Sequence, residues 1–208
     1  MSRALTEIEV DILAESMNIG VGQAASTLSM LTNRKIEIQM HRVKVVYAAG
    51  LQELLGGCSP GWHSCILQKF RGPFSGEGIC VFSVDPIEWV ELIMAGQELP
   101  VDVESRNDIL LEMGNILNSN LIGSVMNILG LCVEFDLPRY FRNNNCSVFD
   151  VELQVVGDGD VQLMLCTPIG LTAGGRSLEM MLVLEGAGLQ YFTDMFERQF
   201  GPQTAKKS

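Results

Sequence analysis

Basic residues are few in this 208-residue chain: 14 Lys and Arg stand against 25 Asp and Glu, for a net charge of −11. Phosphate backbones are held by clusters of Lys and Arg. The only adjacent basic pairs are Arg34-Lys35 and Lys206-Lys207, which read as a loop and a tail, so no nucleic-acid partner is expected. Histidine is scarcer still, with 2 residues, and none of the 6 cysteines forms a CxxC, so no zinc site is expected. Cys58, Cys65, Cys80, Cys132, Cys146 and Cys166 read as reduced, mostly buried residues of a cytoplasmic protein. A secretory signal is not expected at the start, where Arg3, Glu7 and Glu9 already stand. Charge is missing altogether from Met113 to Val133, a stretch long enough to span a bilayer. Asn115, Asn118, Asn120 and Asn127 lie inside it and would be costly in lipid. A helix buried between protein layers, without membrane insertion, is the expectation. Ala173-Gly174-Gly175 has no phosphate-loop lysine, and Gly157-Asp158-Gly159-Asp160 reads as a hairpin turn without a surrounding calcium loop. His63, near Cys58 and Cys65, reads as part of a loop.

What the chain does contain is a repeat. Asp11-Ile12-Leu13-Ala14-Glu15-Ser16-Met17-Asn18-Ile19 returns 97 residues later as Asp108-Ile109-Leu110-Leu111-Glu112-Met113-Gly114-Asn115-Ile116. The echo continues weakly, with Ile36 matching Val133 and Ile38 matching Phe135. Each copy reads as a long helix followed by a strand. The first helix opens on a capping box, Thr6-Glu7-Ile8-Glu9, and stops at Asn33. Ile8, Ile12, Met17, Ile19, Leu28 and Leu31 are its expected buried side. The second helix is expected from about Asp102–Ser105 to about Gly130.

Strand signals follow each helix. In the first half they run from Lys35 to Val46, then as a hairpin, Ser64 to Phe70 and Gly78 to Val84, around Gly72-Pro73-Phe74-Ser75-Gly76. In the second half they cover Ser147 to Val156, Val161 to Thr167 and Ser177 to Leu184. Short helices, Pro86 to Ala95 and Gly188 to Phe200, close the halves. Tight turns between strands imply antiparallel pairing. The fold class is therefore α+β, a mostly antiparallel sheet with two long helices packed on it. The two repeats, about 1–98 and 99–202, are expected to fuse into one pseudo-symmetric domain over residues 1–208, with a short disordered C-terminal tail.

At about 100° per residue, Glu15 lies about 40° from Asp11 around the helix and Asn18 about 20° the other way. Asp11, Glu15 and Asn18 therefore share one stripe, as do Asp108, Glu112 and Asn115. One such stripe would read as a solvated helix face, but two with identical residues at identical spacing favour a site. Asparagine has no proton to titrate near neutral pH, so it is no general base. Its carboxamide can donate to and accept from one water, which suits orienting a nucleophile. The glutamate one turn away is a fixed anion suited to a partner's lysine. Such a site is incomplete alone and would act by reaching into a partner's active site.

Asp11-x₃-Glu15-x₂-Asn18-Ile19-Gly20-x-Gly22-x-Ala24 and Asp108-x₃-Glu112-x₂-Asn115 resemble the paired phosphatase motifs of the CheC/CheX/FliY chemotaxis family. The family pattern adds a proline 23 positions after the asparagine. Pro138 satisfies it in the second copy, and His41 departs from it in the first. Two motifs, and no flagellar switch-like domain after Gly201, point to the CheC type. The resemblance implies a CheC-like fold and a phosphatase for the aspartyl phosphate of a CheY-like response regulator. It gives Glu15 and Glu112 the regulator's lysine to pair with, and Asn18 and Asn115 the attacking water to orient. Asp11, Asp108 and Pro138 take supporting roles. It implies no cofactor of the chain's own, since the regulator supplies Mg²⁺, and it adds a CheD-like deamidase as a second partner. A non-catalytic module docking a receiver or a CheD-like protein, or a part of a signalling or flagellar assembly, is the competing expectation.

Overall fold

The computed structural model describes residues 5–40, 43–47, 64–82, 86–94, 102–142, 161–171, 176–185 and 188–200. The long helices lie where their sequence signals place them. Helix α1 (Glu7–Thr32) starts on Thr6, whose hydroxyl accepts from the Glu9 amide while the Glu9 carboxylate takes the Thr6 amide at 2.7 Å. It stops at Asn33 in the left-handed region, φ 51°. Helix α3 (Val103–Ile128) is capped by Asp102, whose carboxylate accepts from the Ser105 amide at 2.7 Å. That bond, with a second from the Ser105 hydroxyl, holds the Asp102 carboxyl below its ordinary range.

The strands are β1 (Ile38–Met40), β2 (Lys44–Tyr47), β3 (Ser64–Arg71), β4 (Gly76–Phe82), β5 (Glu134–Phe135), β6 (Arg139–Arg142), β7 (Val161–Leu171) and β8 (Arg176–Glu185). The short helices are α2 (Pro86–Ile93) and α4 (Gly188–Phe200). Among the described residues these eight strands form one antiparallel sheet. Its order is β1-β7-β8-β4-β3-β5, with β2 also on β7 and β6 also on β3. Exchanging β1 with β5, β2 with β6, β3 with β7 and β4 with β8 reproduces this order. The strands that follow α1 thus pair with the hairpin that follows α3, and the reverse. The expected strand over 147–156, the turn at 157–160, His41, His63 and the tail lie outside the described residues. The expected single strand from Lys35 to Val46 is instead two, β1 and β2, both on β7.

Strands β3 and β4 are buried along nearly their whole length. Within them Lys69 and Glu77, register partners, form an ion pair at 3.0 Å, with Glu77 itself buried. Helix α3 lies on β3 and β4, and α1 packs against α3 and β1. Phe82 meets Trp89 of α2 edge-on at 5.7 Å. Phe74, in the β3–β4 turn, meets Tyr191 and Phe192 of α4.

The inner face of α1 differs from its expected one. Met17 and Leu28 are buried, but Ile8, Ile19 and Leu31 are exposed and Ile12 is half-buried. The buried stripe is Leu13, Met17, Gly20, Val21, Ala24, Leu28 and Thr32. Small residues decide this. A Cβ on Gly20 would stand 2.6 Å from the Asn120 carbonyl oxygen and 2.8 Å from the Leu121 Cα. Gly20 is therefore the point where α1 and α3 touch backbone to backbone. The Ser124 hydroxyl donates across the contact to the Ser16 carbonyl at 2.7 Å. Gly22, two residues on, faces open space. Of the cysteines whose side chains are described, Cys65 and Cys80 are buried free thiols and Cys132 is exposed.

Candidate functional site

The cap at Thr6 sets the start of α1, and the buried stripe sets its rotation. With Leu13, Met17 and Gly20 turned inward, Asp11, Glu15 and Asn18 fall on the outer face, and all three are exposed. Among the described residues no hydrogen bond or ion pair engages them. The stripe is thus free to meet a partner. Ile19, beside Asn18, is 51% exposed and adds an apolar rim.

The second stripe is built differently. Asp108 and Glu112 are exposed on α3, but Asn115 is half-buried. The cause is Gly114. A Cβ there would stand 2.6 Å from Ile66 Cγ2, so glycine lets the helix settle onto β3. Ile66 and Gln68 alternate along β3 and so face the same side. Ile66 packs under Gly114, and Gln68 reaches Asn115. The Gln68 side-chain amide donates to Asn115 Oδ1 at 2.8 Å and to the Asp136 carbonyl at 3.0 Å. The Asp136 carbonyl can only accept, which fixes the Gln68 NH₂ end and hence makes the Asn115 atom facing it the oxygen. The first copy has Met17 where the second has Gly114, so its asparagine stays out on the surface.

Gln68 is 1% exposed, and its own Oε1 is buried without a hydrogen-bond partner. Such an acceptor costs about 1–3 kcal/mol. Gln68 also ties Asn115 to the segment that carries Pro138. Asp136 returns its amide to the Lys69 carbonyl at 2.9 Å, and Arg71 grips the Asp136 carboxylate at 2.6 Å. Pro138 is half-buried two residues on, beside Leu137, which is 88% exposed. One turn beyond Asn115, the fully buried Asn118 amide faces the Gly78 carbonyl at 3.4 Å and the Cys80 thiol at 3.5 Å. The uncharged helix is therefore buried by the sheet and α1. Among the described residues, no helix is long and apolar enough to cross a membrane.

Each stripe thus offers carboxylates outward, with a carboxamide that is exposed in the first copy and half-buried in the second. No hydrogen bond or ion pair among the described residues joins one stripe to the other. Neither contains a nucleophile–base pair, and no group of three His, Cys, Asp or Glu that could hold a metal occurs among the described residues. What the stripes can do alone is pair with a cation and orient a water. The six stripe residues lie on the helix faces that helical rotation predicts, whereas Gln68, a buried polar residue of β3, was not among the residues expected from the sequence. The available signal was Gly114, a glycine in a helix interior at a motif position where the other copy has Met17.

Residues 8–39, from α1 into β1, match the model of the CheC-like family. Over that stretch the chain is similar to the CheC-like family. It is 24% identical over 143 residues to the CheY-P phosphatase CheC of Bacillus subtilis (strain 168), a stretch covering 65% of this chain. The chain spans 66% of that relative, just under two thirds of its length. Among solved structures, FliY of Thermotoga maritima superposes with a TM-score of 0.67 at 20% identity, covering 95% of this chain and all of that one. FliM of H. pylori, solved as a complex with SpeE, gives 0.63 at 12% identity over 94% of this chain and 98% of that one. CheX in the CheX-CheY-BeF3-Mg+2 complex of Borrelia burgdorferi gives 0.50 at 16%, over 83% of this chain and 98% of that one. At these identities the structures establish a common fold.

Proposed function

We propose that this CheC-like chain is a cytoplasmic phosphatase acting on the aspartyl phosphate of a CheY-like response regulator in chemotaxis or a related two-component pathway. The observation that carries the reading is the pair of outward Asp-x₃-Glu-x₂-Asn stripes on the two long helices. The CheC relative named for its action on CheY-P, and the CheX fold relative solved with CheY, support it. Glu15 or Glu112 pairs with the regulator's lysine. Asn18 or Asn115 orients a water for in-line attack on phosphorus, and the bond from phosphorus to the aspartate oxygen breaks. Inorganic phosphate leaves, and the regulator's carboxylate is restored. The regulator supplies the acyl phosphate and the Mg²⁺, so this chain's part is positioning and charge placement. Asp11, Asp108 and Pro138 support the stripes.

The test is phosphate loss from a phosphorylated CheY-like receiver with Mg²⁺, with and without the purified chain. Asn18→Ala and Asn115→Ala are each expected to lower the rate, Asn115→Ala more, and the double variant to abolish the acceleration. An unaccelerated wild type overturns the enzyme reading, and an unimpaired double variant overturns the site. The likeness to FliM favours a second reading, a module that docks a receiver or a CheD-like deamidase without turnover. It predicts receiver binding with no faster phosphate loss.

A further inference from the structure

We infer that Gln68 is a positioning residue that makes the two sites unequal, holding Asn115 in one orientation while Asn18 is left free. The inference rests on the phosphatase reading and adds a residue outside both motifs. Three observations carry it. Gln68 is nearly fully buried in β3, yet its amide spends both of its bonds on Asn115 and on the Asp136 backbone. Its remaining oxygen has no partner, so the residue is poorly suited to a purely packing role. Its grip on Oδ1 leaves one lone pair of that oxygen and the whole Nδ2 group for a water, with the plane of the amide set in advance.

Among the described residues the first site has no such clamp. In β3, Phe70 stands opposite Phe135, and in β7, Leu171 stands opposite Ile38. Ile38 and Phe135 differ by 97 positions, the offset of the two motifs, so Phe70 and Leu171 are equivalent. Two residues back along each strand are Gln68 and Ile169. Isoleucine has no group with which to orient an asparagine. Asn115 therefore has a polar residue beneath it, and the register position that matches Gln68 in the first copy holds an apolar residue.

The test uses the full chain carrying Asn18→Ala, so that the second site works alone. Adding Gln68→Leu is expected to lower kcat for receiver dephosphorylation about tenfold, the size of a positioning defect. KM for the phosphorylated receiver is expected to stay within about twofold, since the docking face is untouched. Combined with Asn115→Ala instead, Gln68→Leu is expected to add no further loss. A general loosening of the fold would lower the rate in both backgrounds and would overturn the inference. An active Asn18→Ala chain indifferent to Gln68→Leu also overturns it, with the phosphatase reading left standing. So does an inactive Asn18→Ala chain, because Asn115 would then do no work. A wild type that fails to accelerate phosphate loss overturns both. A second measurement needs no substitution at Gln68. Side-chain amide ¹⁵N relaxation in the wild type is expected to show Asn115 rigid and Asn18 mobile, and equal mobility refutes the clamp.

Discussion

Two glycines on α1, two residues apart, should respond to the same substitution in opposite senses. At Gly20 a new methyl group meets the Ser124 hydroxyl at 2.5 Å, the Asn120 carbonyl oxygen at 2.6 Å and the Leu121 Cα at 2.8 Å. Two of these atoms are backbone and cannot swing away, so Gly20→Ala must push α1 off α3. Overpacking of this kind costs about 1–3 kcal/mol. Separation also strains the Ser124 bond to the Ser16 carbonyl, worth about 1 kcal/mol. The helix gains back about 1 kcal/mol, because alanine is the better helix former. The net expectation is a loss of roughly 2 kcal/mol, or about 4–8 °C in melting temperature for a chain of this size. At Gly22 the same methyl meets nothing within 4 Å, and only the helix gain remains. Gly22→Ala should therefore raise stability by about 0.5–1 kcal/mol. Thermal and urea denaturation followed by far-ultraviolet circular dichroism reads both. Equal shifts of the same sign would refute the claim that α1 and α3 touch at Gly20. Retention of both stripes' activity in Gly22→Ala would show that the gain leaves the site intact.

The remaining predictions concern the cap and the halves. The Ser105 amide, and then its hydroxyl, depress the Asp102 carboxyl in the folded chain. Its contribution is therefore present above the unfolded value, about 4, and is lost as pH falls through the lower folded value. Asp102→Ala should lower the melting temperature at pH 7, with a gap to wild type that narrows below about pH 4; a gap that widens there would contradict the capping account. Residues 1–98 expressed alone should not unfold cooperatively, because β1 and β2 would lose β7 and the β3–β4 hairpin would lose β5, β6 and β8. A well-dispersed amide NMR spectrum from that fragment would show that half of the sheet suffices.

Much of this could be read from the chain before any tertiary contact was known. Thr6, Glu9, Asn33 and Asp102 set the helix ends because capping is a matter of three or four neighbouring residues. The hairpin turn at Gly72–Gly76 and the short helices at Pro86 and Gly188 are equally local signals. The stripes Asp11-Glu15-Asn18 and Asp108-Glu112-Asn115 were legible because helical rotation alone puts them on one face. The inner side of α1 was not. Ile8, Ile19 and Leu31 are apolar yet exposed, and Gly20 and Ala24 are small yet inside, because close approach of two helices selects for size above hydrophobicity.

By itself, then, the sequence determined a duplicated pair of outward polar stripes on two capped helices, through interactions that span a turn or two. Only the tertiary structure decided that the two asparagines are held differently. Gln68 and Asn115 are 47 residues apart and meet because Gly114 lets α3 down onto β3. The equivalence of Gln68 with Ile169 exists only through strand register. Contacts across such distances follow from how elements pack, and no local pattern in the chain records them.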